Sequence, residues 1–234
     1  MNQNKDTLFI PEKPDPERDA VASAWESEYG DVIRLGRFWD PPLIETDKVA
    51  VYGHFTFCLV LKEKLNLHLA TPPDDLILQT PQKFLGRDIK KTVLKNLTAT
   101  DFPVFVKPFI PKLFQARVYQ NLVALRTECT GLDDDCEVIL SEPVSFITEA
   151  RAFILDGKVL DCALYEGEGS IENARKFVKS VIEEMEIPIT VVIDMGLSED
   201  GKWSVIEYNA TWGSGLNGCD AKKVLPAIAA AMEK

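Results

Sequence analysis

The stretch that most restricts this chain is Val191–Gly218, VVIDMGLSEDGKWSVIEYNATWGSGLNG. It reads as a β-hairpin that carries charge. Val191–Leu197 is an apolar run interrupted by one carboxylate, Asp194, and Trp203–Asn209 is the returning strand. Between them stands Asp200-Gly201, the dipeptide preferred in two-residue type I′ turns. With that pair at the tip, Asp194 lies directly opposite Glu207. Asn209 then shares the face of Glu207, because strand side chains alternate. Two carboxylates facing each other repel. A divalent cation reverses that sign, and oxygens from Asp, Glu and Asn suit Mg²⁺. The competing reading is an exposed hairpin with incidental charges. Against it, a half-buried strand alternates polar and apolar residues, whereas Val-Val-Ile-Asp-Met-Gly-Leu reads as buried on both faces.

Composition removes several function classes. The formal charge is −11 over 234 residues, without a Lys/Arg-rich block, so a nucleic-acid backbone is not an expected partner. The opening MNQNKDTLFIPEKPD has no signal-peptide core, and no run reaches the ~18 apolar residues of a membrane span. Five cysteines without paired short spacing suggest reduced thiols and a cytoplasmic protein. With only His54 and His68, a multi-histidine metal site is excluded and a histidine-based triad is disfavoured.

Along the chain, Thr7–Ile10, Val32–Leu35 and Val49–Tyr52 read as strands, with a helix opened by Asp15-Pro16 between the first two. This alternation predicts a small parallel α/β domain over residues 1–75, closed by Thr71-Pro72-Pro73-Asp74-Asp75. No glycine-rich phosphate loop follows these strands, which disfavours a dinucleotide fold. Phe84, Ile89, Val93, Leu94 and Leu97 fit an amphipathic helix with Arg87 in its first turn, where a solvated arginine is the simplest reading. Val104–Pro108 is a strand whose Lys107 either meets a phosphate as a point charge or snorkels to solvent. Lys112 and Arg117 make this segment locally basic. Pro143 breaks Val138–Phe146 into an edge or a turn between two strands. Ala150–Leu155 and Lys158–Tyr165 form a second hairpin about Asp156-Gly157, placing Arg151 opposite Cys162 with Glu149 on its face. That arginine either pairs with Glu149 or clamps a phosphate or carboxylate bidentately. Ser170 caps a helix that Pro188 stops. Thr211–Gly218 is glycine-rich and flexible, suited to close approach by a ligand. A last amphipathic helix spans Asp220–Met232.

Four stretches, in order, resemble the ATP-grasp superfamily, and most closely its clade named for two arginines and a lysine. Thr80-Pro81-Gln82-Lys83-Phe84-Leu85-Gly86-Arg87 is similar to the clade's Pro-x-x-Phe-Leu-x-Arg. Val104-Phe105-Val106-Lys107-Pro108 with Lys112-Leu113-Phe114 is similar to its Val-Lys-Pro and Lys-x-Phe. Ser141-Glu142-Pro143-Val144-Ser145-Phe146 and Glu149-Ala150-Arg151-Ala152-Phe153 resemble its Ser-Glu-Pro-Val-x-Phe and Glu-x-Arg-x-Phe. Asp194-Met195-Gly196 with Glu207-Tyr208-Asn209 resembles its Asp-x-Gly and Glu-x-Asn.

The resemblance implies an α+β ATP-grasp fold, two α+β lobes clasping a nucleotide, with lobes at 76–145 and 146–234 after the parallel domain. It implies that Lys107 contacts the α- and β-phosphates of ATP with help from Lys112. Ser141, Glu142 and Val144 belong to the linker beside the adenine. Asp194, Glu207 and Asn209 hold Mg²⁺, and Arg87 and Arg151 face the γ-phosphate or the acceptor. The segment Phe109–Arg117, where many ATP-grasp proteins cover the phosphates with glycines, has none. The implied reaction joins a small-molecule or peptide carboxylate to an amine through an acyl phosphate. A nucleotide-binding module with little or no turnover is the alternative, and a metal-dependent hydrolase the third reading. Oligomeric state is open.

Overall fold

The computed structural model describes residues 6–44 and 48–233. The first part of the chain runs β1 (Asp6–Pro11), α1 (Pro16–Glu28), β2 (Gly30–Leu35), β3 (Val49–Val51), α2 (Phe55–Leu65) and β4 (His68–Leu69). Next come α3 (Leu76–Gln79), α4 (Gln82–Leu85), β5 (Ile89–Val93), β6 (Val104–Pro108), β7 (Arg117–Tyr119), α5 (Leu122–Glu128) and β8 (Glu137–Ser141). The last part holds β9 (Phe146–Leu155), β10 (Lys158–Gly167), α6 (Ile171–Glu184), β11 (Thr190–Ser198), β12 (Trp203–Asn209), α7 (Ala221–Ala230) and β13 (Met232–Glu233). Two compact units result. The first combines residues up to Pro72 with Thr148–Gly196 and Ile206 onward; the second combines Pro73–Ile147 with Leu197–Val205.

In the first unit the expected parallel sheet is present, in the order β2-β1-β3, with Leu8 beside Val32 and Ala50. Parallel neighbours need a crossover, which α1 supplies. Asp15 caps that helix through Oδ1, which accepts from the Arg18 N–H at 3.0 Å, and Pro16 takes the first turn. One hydrophobic core then joins distant parts of the chain: Leu8, Ile10 and Trp25 pack with Phe153, Val192, Leu225 and Ile228. Each such side chain fully buried is worth about 1.5–3 kcal/mol of transfer free energy. A second strand set follows the order β10-β9-β11-β12.

The β9–β10 turn is type I′, as Asp156-Gly157 predicts: both residues are left-handed, at φ 49° and 66°. The register further along differs from the sequence expectation. A bulge at Leu160 shifts the pairing by one, so Arg151 lies opposite Ala163 and not Cys162.

The second unit is an antiparallel sheet, β5-β8-β6-β7, over a core of Leu94, Val104, Val106, Tyr119, Leu125, Val138 and Leu140. Its start corrects the amphipathic helix expected from Phe84 to Leu97. Gly86, left-handed at φ 63°, ends α4, and Ile89–Val93 pairs with β8 as a strand. The apolar spacing there serves two short elements. The β11–β12 tip also departs from expectation. Gly201 N–H donates to Ser198 O and Ser198 N–H to Lys202 O, both at 3.0 Å. The loop therefore holds three residues, Glu199–Gly201, with only Gly201 left-handed (φ 81°), the form built on a turn plus a glycine bulge. Asp200 favours it by side-chain bonds to Ser198 and Lys202.

Candidate functional site

On the first unit, the charged residues singled out from sequence converge. Arg151, on β9, grips Asp194 with a two-pronged fork: Nε to Oδ1 at 2.7 Å and Nη2 to Oδ2 at 2.6 Å. Its third nitrogen, Nη1, donates to Gly215 O at 2.8 Å. Asn209 Nδ2 donates to Asp194 Oδ2 at 3.0 Å and to Glu207 Oε1 at 2.9 Å. So Asp194, Glu207 and Asn209 meet even though the tip is not the turn expected. Burial pushes the Asp194 carboxyl up, and the Arg151 fork opposes that. Burial lowers Arg151, yet the bonds to Asp194 outweigh it and leave the guanidinium raised. Glu149 does not pair with Arg151 here; its Oε2 accepts the Tyr165 hydroxyl at 2.5 Å, and the Tyr165 ring lies 5.9 Å from the Arg151 guanidinium.

Asp194, Glu207 and Asn209 bring together oxygen-bearing side chains of the kind that suits Mg²⁺. Were Mg²⁺ bound, Asn209 would offer Oδ1, and Asp194 and Glu207 would offer carboxylate oxygens. As the cluster stands, its acids are only two. Among the described residues no group of three or more His, Cys, Asp or Glu side chains is placed to hold a metal ion.

The glycine-rich loop beyond β12, expected to be flexible, is tied down. Glu17 accepts Leu216 N–H at 2.9 Å and Asn217 N–H at 2.7 Å. Tyr52 OH donates to Ser214 O at 2.7 Å. Sequence reasoning singles out neither Glu17 nor Tyr52 for these contacts. Nothing in their spacing announces contacts with residues so distant in the chain.

On the second unit, Val104, Val106 and Pro108 are buried, while Phe105 and Lys107 share the other face. Lys107 pairs with Ile139 and Phe105 with Ser141, and directly opposed residues share a face. Ser141 is buried, and its Oγ accepts Arg87 Nε at 3.0 Å while donating to Glu142 O at 2.9 Å. Arg87 Nη1 also donates to Leu85 O at 2.9 Å and Val205 O at 2.8 Å. It is thus a part-buried tie, not the solvated arginine that sequence favours, and burial lowers its pKa. Glu142 is exposed and accepts Asp88 N–H at 3.1 Å. Val144 is exposed. Lys112 is exposed and left-handed at φ 67°, in the segment that lacks glycine. Burial raises all five thiols, Cys129 and Cys162 to about 11 and Cys219 to about 12, so none is a ready thiolate nucleophile. No described helix is long and apolar enough to cross a membrane.

Comparison with known proteins adds the family. No curated protein sequence matches. Among solved structures, D-alanine–D-alanine ligase from Bacillus anthracis complexed with ATP is similar at TM-score 0.59 and 15% identity, covering 98% of this chain and 97% of that one. D-cycloserine synthetase DcsG gives TM-score 0.62 at 13% identity, over 96% and 98% of the two chains. ATP-grasp ligase PsnB, complexed with a phosphomimetic variant of its minimal precursor, Mg and ADP, gives TM-score 0.52 at 11% identity, over 98% and 99%. These likenesses concern the fold. The model for family 2 of the ATP-grasp clade named for two arginines and a lysine matches residues 84–227. That is more than half the chain and spans every stretch from Phe84 to Asn209 discussed above, so the protein belongs to that clade of ATP-grasp domains.

Proposed function

We propose that the protein is an ATP-dependent carboxylate–amine ligase. A substrate carboxylate attacks the γ-phosphate of ATP, giving an acyl phosphate and ADP, and an amine then displaces inorganic phosphate. The observation that carries this reading is the Arg151–Asp194–Asn209–Glu207 cluster within the matched ATP-grasp region. Asp194, Glu207 and Asn209 would hold Mg²⁺, which supplies neutralisation of phosphate charge. Lys107, on the sheet face away from the core of its unit, offers a point charge to the α- and β-phosphates, with Lys112 beside it in the chain. Ser141, Glu142 and Val144 line the nucleotide through the segment after β8. Arg87 fixes Ser141 and the β12 strand, and acts as a positioning residue for that segment. Arg151 orients Asp194 and stabilises charge developing on the transferred phosphoryl group. No covalent nucleophile is needed, in keeping with five raised thiols.

The test is ADP release with Mg²⁺ and a panel of carboxylates and amines, with hydroxylamine added to trap an acyl phosphate as a hydroxamate. Lys107→Ala should lower turnover by about a hundredfold. Equal turnover in this variant would sink the reading. A second reading, a nucleotide-binding module, is favoured by the glycine-free Phe109–Arg117 segment. It predicts Mg²⁺-dependent ATP binding with no ADP release across the panel.

A further inference from the structure

The two arginines that the family pattern marks are occupied. Arg151 commits all three nitrogens to Asp194 and Gly215, and Arg87 binds Ser141, Leu85 and Val205. A third arginine, outside every stretch that carries the resemblance, is the contrary case. Arg18 lines a cavity of about 200 Å³ in the first unit, together with Asp15, Glu17, Tyr52, His54 and the backbone of residues 213–215. Its side chain is only 17% exposed. Of its five guanidinium donors, one is used, Nη2 to Lys13 O at 3.1 Å. The nearest carboxylate oxygen, Asp15 Oδ2, is a loose 3.7 Å away. The Nε–H is buried without a partner among the described residues, a state that costs free energy. A guanidinium this lightly held can turn towards an anion that enters the cavity.

We propose that this cavity is the subsite for the amine-bearing substrate, and that it takes a small zwitterion, a free amino acid. Arg18 binds the carboxylate. The ammonium group faces Asp15, whose Oδ2 is not engaged by a backbone N–H; Glu17 is unsuited, since both of its oxygens already hold Leu216 and Asn217. Size agrees: at about 200 Å³ the cavity is smaller than the roughly 300–1,000 Å³ of pockets for drug-sized ligands. Position agrees as well. Gly215, in the cavity wall, accepts from the same Arg151 that grips Asp194, so the pocket adjoins the charged cluster within one unit.

This inference rests on the ligase reading, and the experiment separates the two. Binding of common L- and D-amino acids is measured by calorimetry without nucleotide, beside matched amines lacking the carboxylate and matched acids lacking the amine. At least one amino acid should bind, and its two truncated analogues should bind at least tenfold more weakly. Arg18→Gln keeps a donor for Lys13 O and should lose about ten- to hundredfold in affinity, the worth of a charged hydrogen bond. Gly213→Leu gives a second route to the same loss. Gly213 lines the cavity, and a Cβ there meets nothing within 4 Å, so the larger side chain is admitted without a clash at its base. Unchanged melting temperatures keep both variants interpretable. The proposal is overturned if no amino acid binds, if the truncated analogues bind equally well, or if either variant binds like the parent protein. ATP binding and ADP release are recorded in parallel. Loss of those with amino-acid binding intact sinks the ligase reading and leaves the pocket, and the reverse result does the opposite.

Discussion

Arg151 and Arg87 are both largely buried arginines, one in each unit, and they are held on different principles. Arg151 faces a buried acid, so its geometry is set by charge, and each partner would be costly to leave alone. Arg87 reaches two carbonyls and a hydroxyl, so it works as a cross-brace between β8, α4 and β12, and burial depresses its pKa. The contrast teaches where charge is free to act. At Arg151 it is matched inside the fold and tuned by whatever approaches Asp194. At Arg87 it holds carbonyl and hydroxyl oxygens in place.

The sharpest way to break this contrast is Arg151→Ala. It strands Asp194 and should cost about 3–5 kcal/mol in urea denaturation, whereas the double change Arg151→Met with Asp194→Met should recover much of that loss. Arg87→Met should cost less, about 1–3 kcal/mol for unsatisfied neutral acceptors, with weak dependence on salt. A smaller effect probes a second acid of the first unit. Burial pushes Asp161 up, but bonds from Asp220 N–H at 2.9 Å, Arg175 at 2.7 Å and Lys223 at 3.4 Å leave it below the usual carboxylate value. Its contribution is therefore complete above the unfolded value of 3.8 and is lost as pH falls through the folded one. Asp161→Asn should flatten the acid side of a stability–pH curve, while the raised Asp194 gives the opposite slope and Asp194→Asn should steepen it. The smallest effects lie at the hairpin tips. Asp156→Gly should be neutral within about 0.5 kcal/mol, since glycine accepts the left-handed backbone. Asp200→Gly should lower the melting temperature by removing the bonds to Ser198 and Lys202.

Those two tips also mark how far the sequence could be read. The same Asp-Gly pair produced a two-residue turn at Asp156 and a three-residue loop at Asp200, because in the second case the Asp side chain bonds across the loop. Local turn chemistry cannot see the Leu160 bulge either, and so misplaces Arg151 by one partner. The residues of the charged cluster were legible, since a carboxylate inside Val-Val-Ile-Asp-Met and a Glu-x-Asn strand are conspicuous. Their mutual bonds were not. The parallel N-terminal sheet was readable from its alternation. That Trp25 shares a core with Val192 and Ile228 is a matter of contacts far apart in the chain, as are the links from Glu17 to Leu216 and Asn217, and linear spacing carries no trace of them.

That shared core has a consequence for synthesis. A ribosome delivers Leu8, Ile10 and Trp25 long before their packing partners Leu225 and Ile228. The β5–β8 sheet, encoded within a single uninterrupted segment, has its partners to hand much sooner. Vectorial production therefore inverts the order of assembly: the β5–β8 sheet is finished while Leu8, Ile10 and Trp25 wait, their greasy surface exposed, for Leu225 and Ile228.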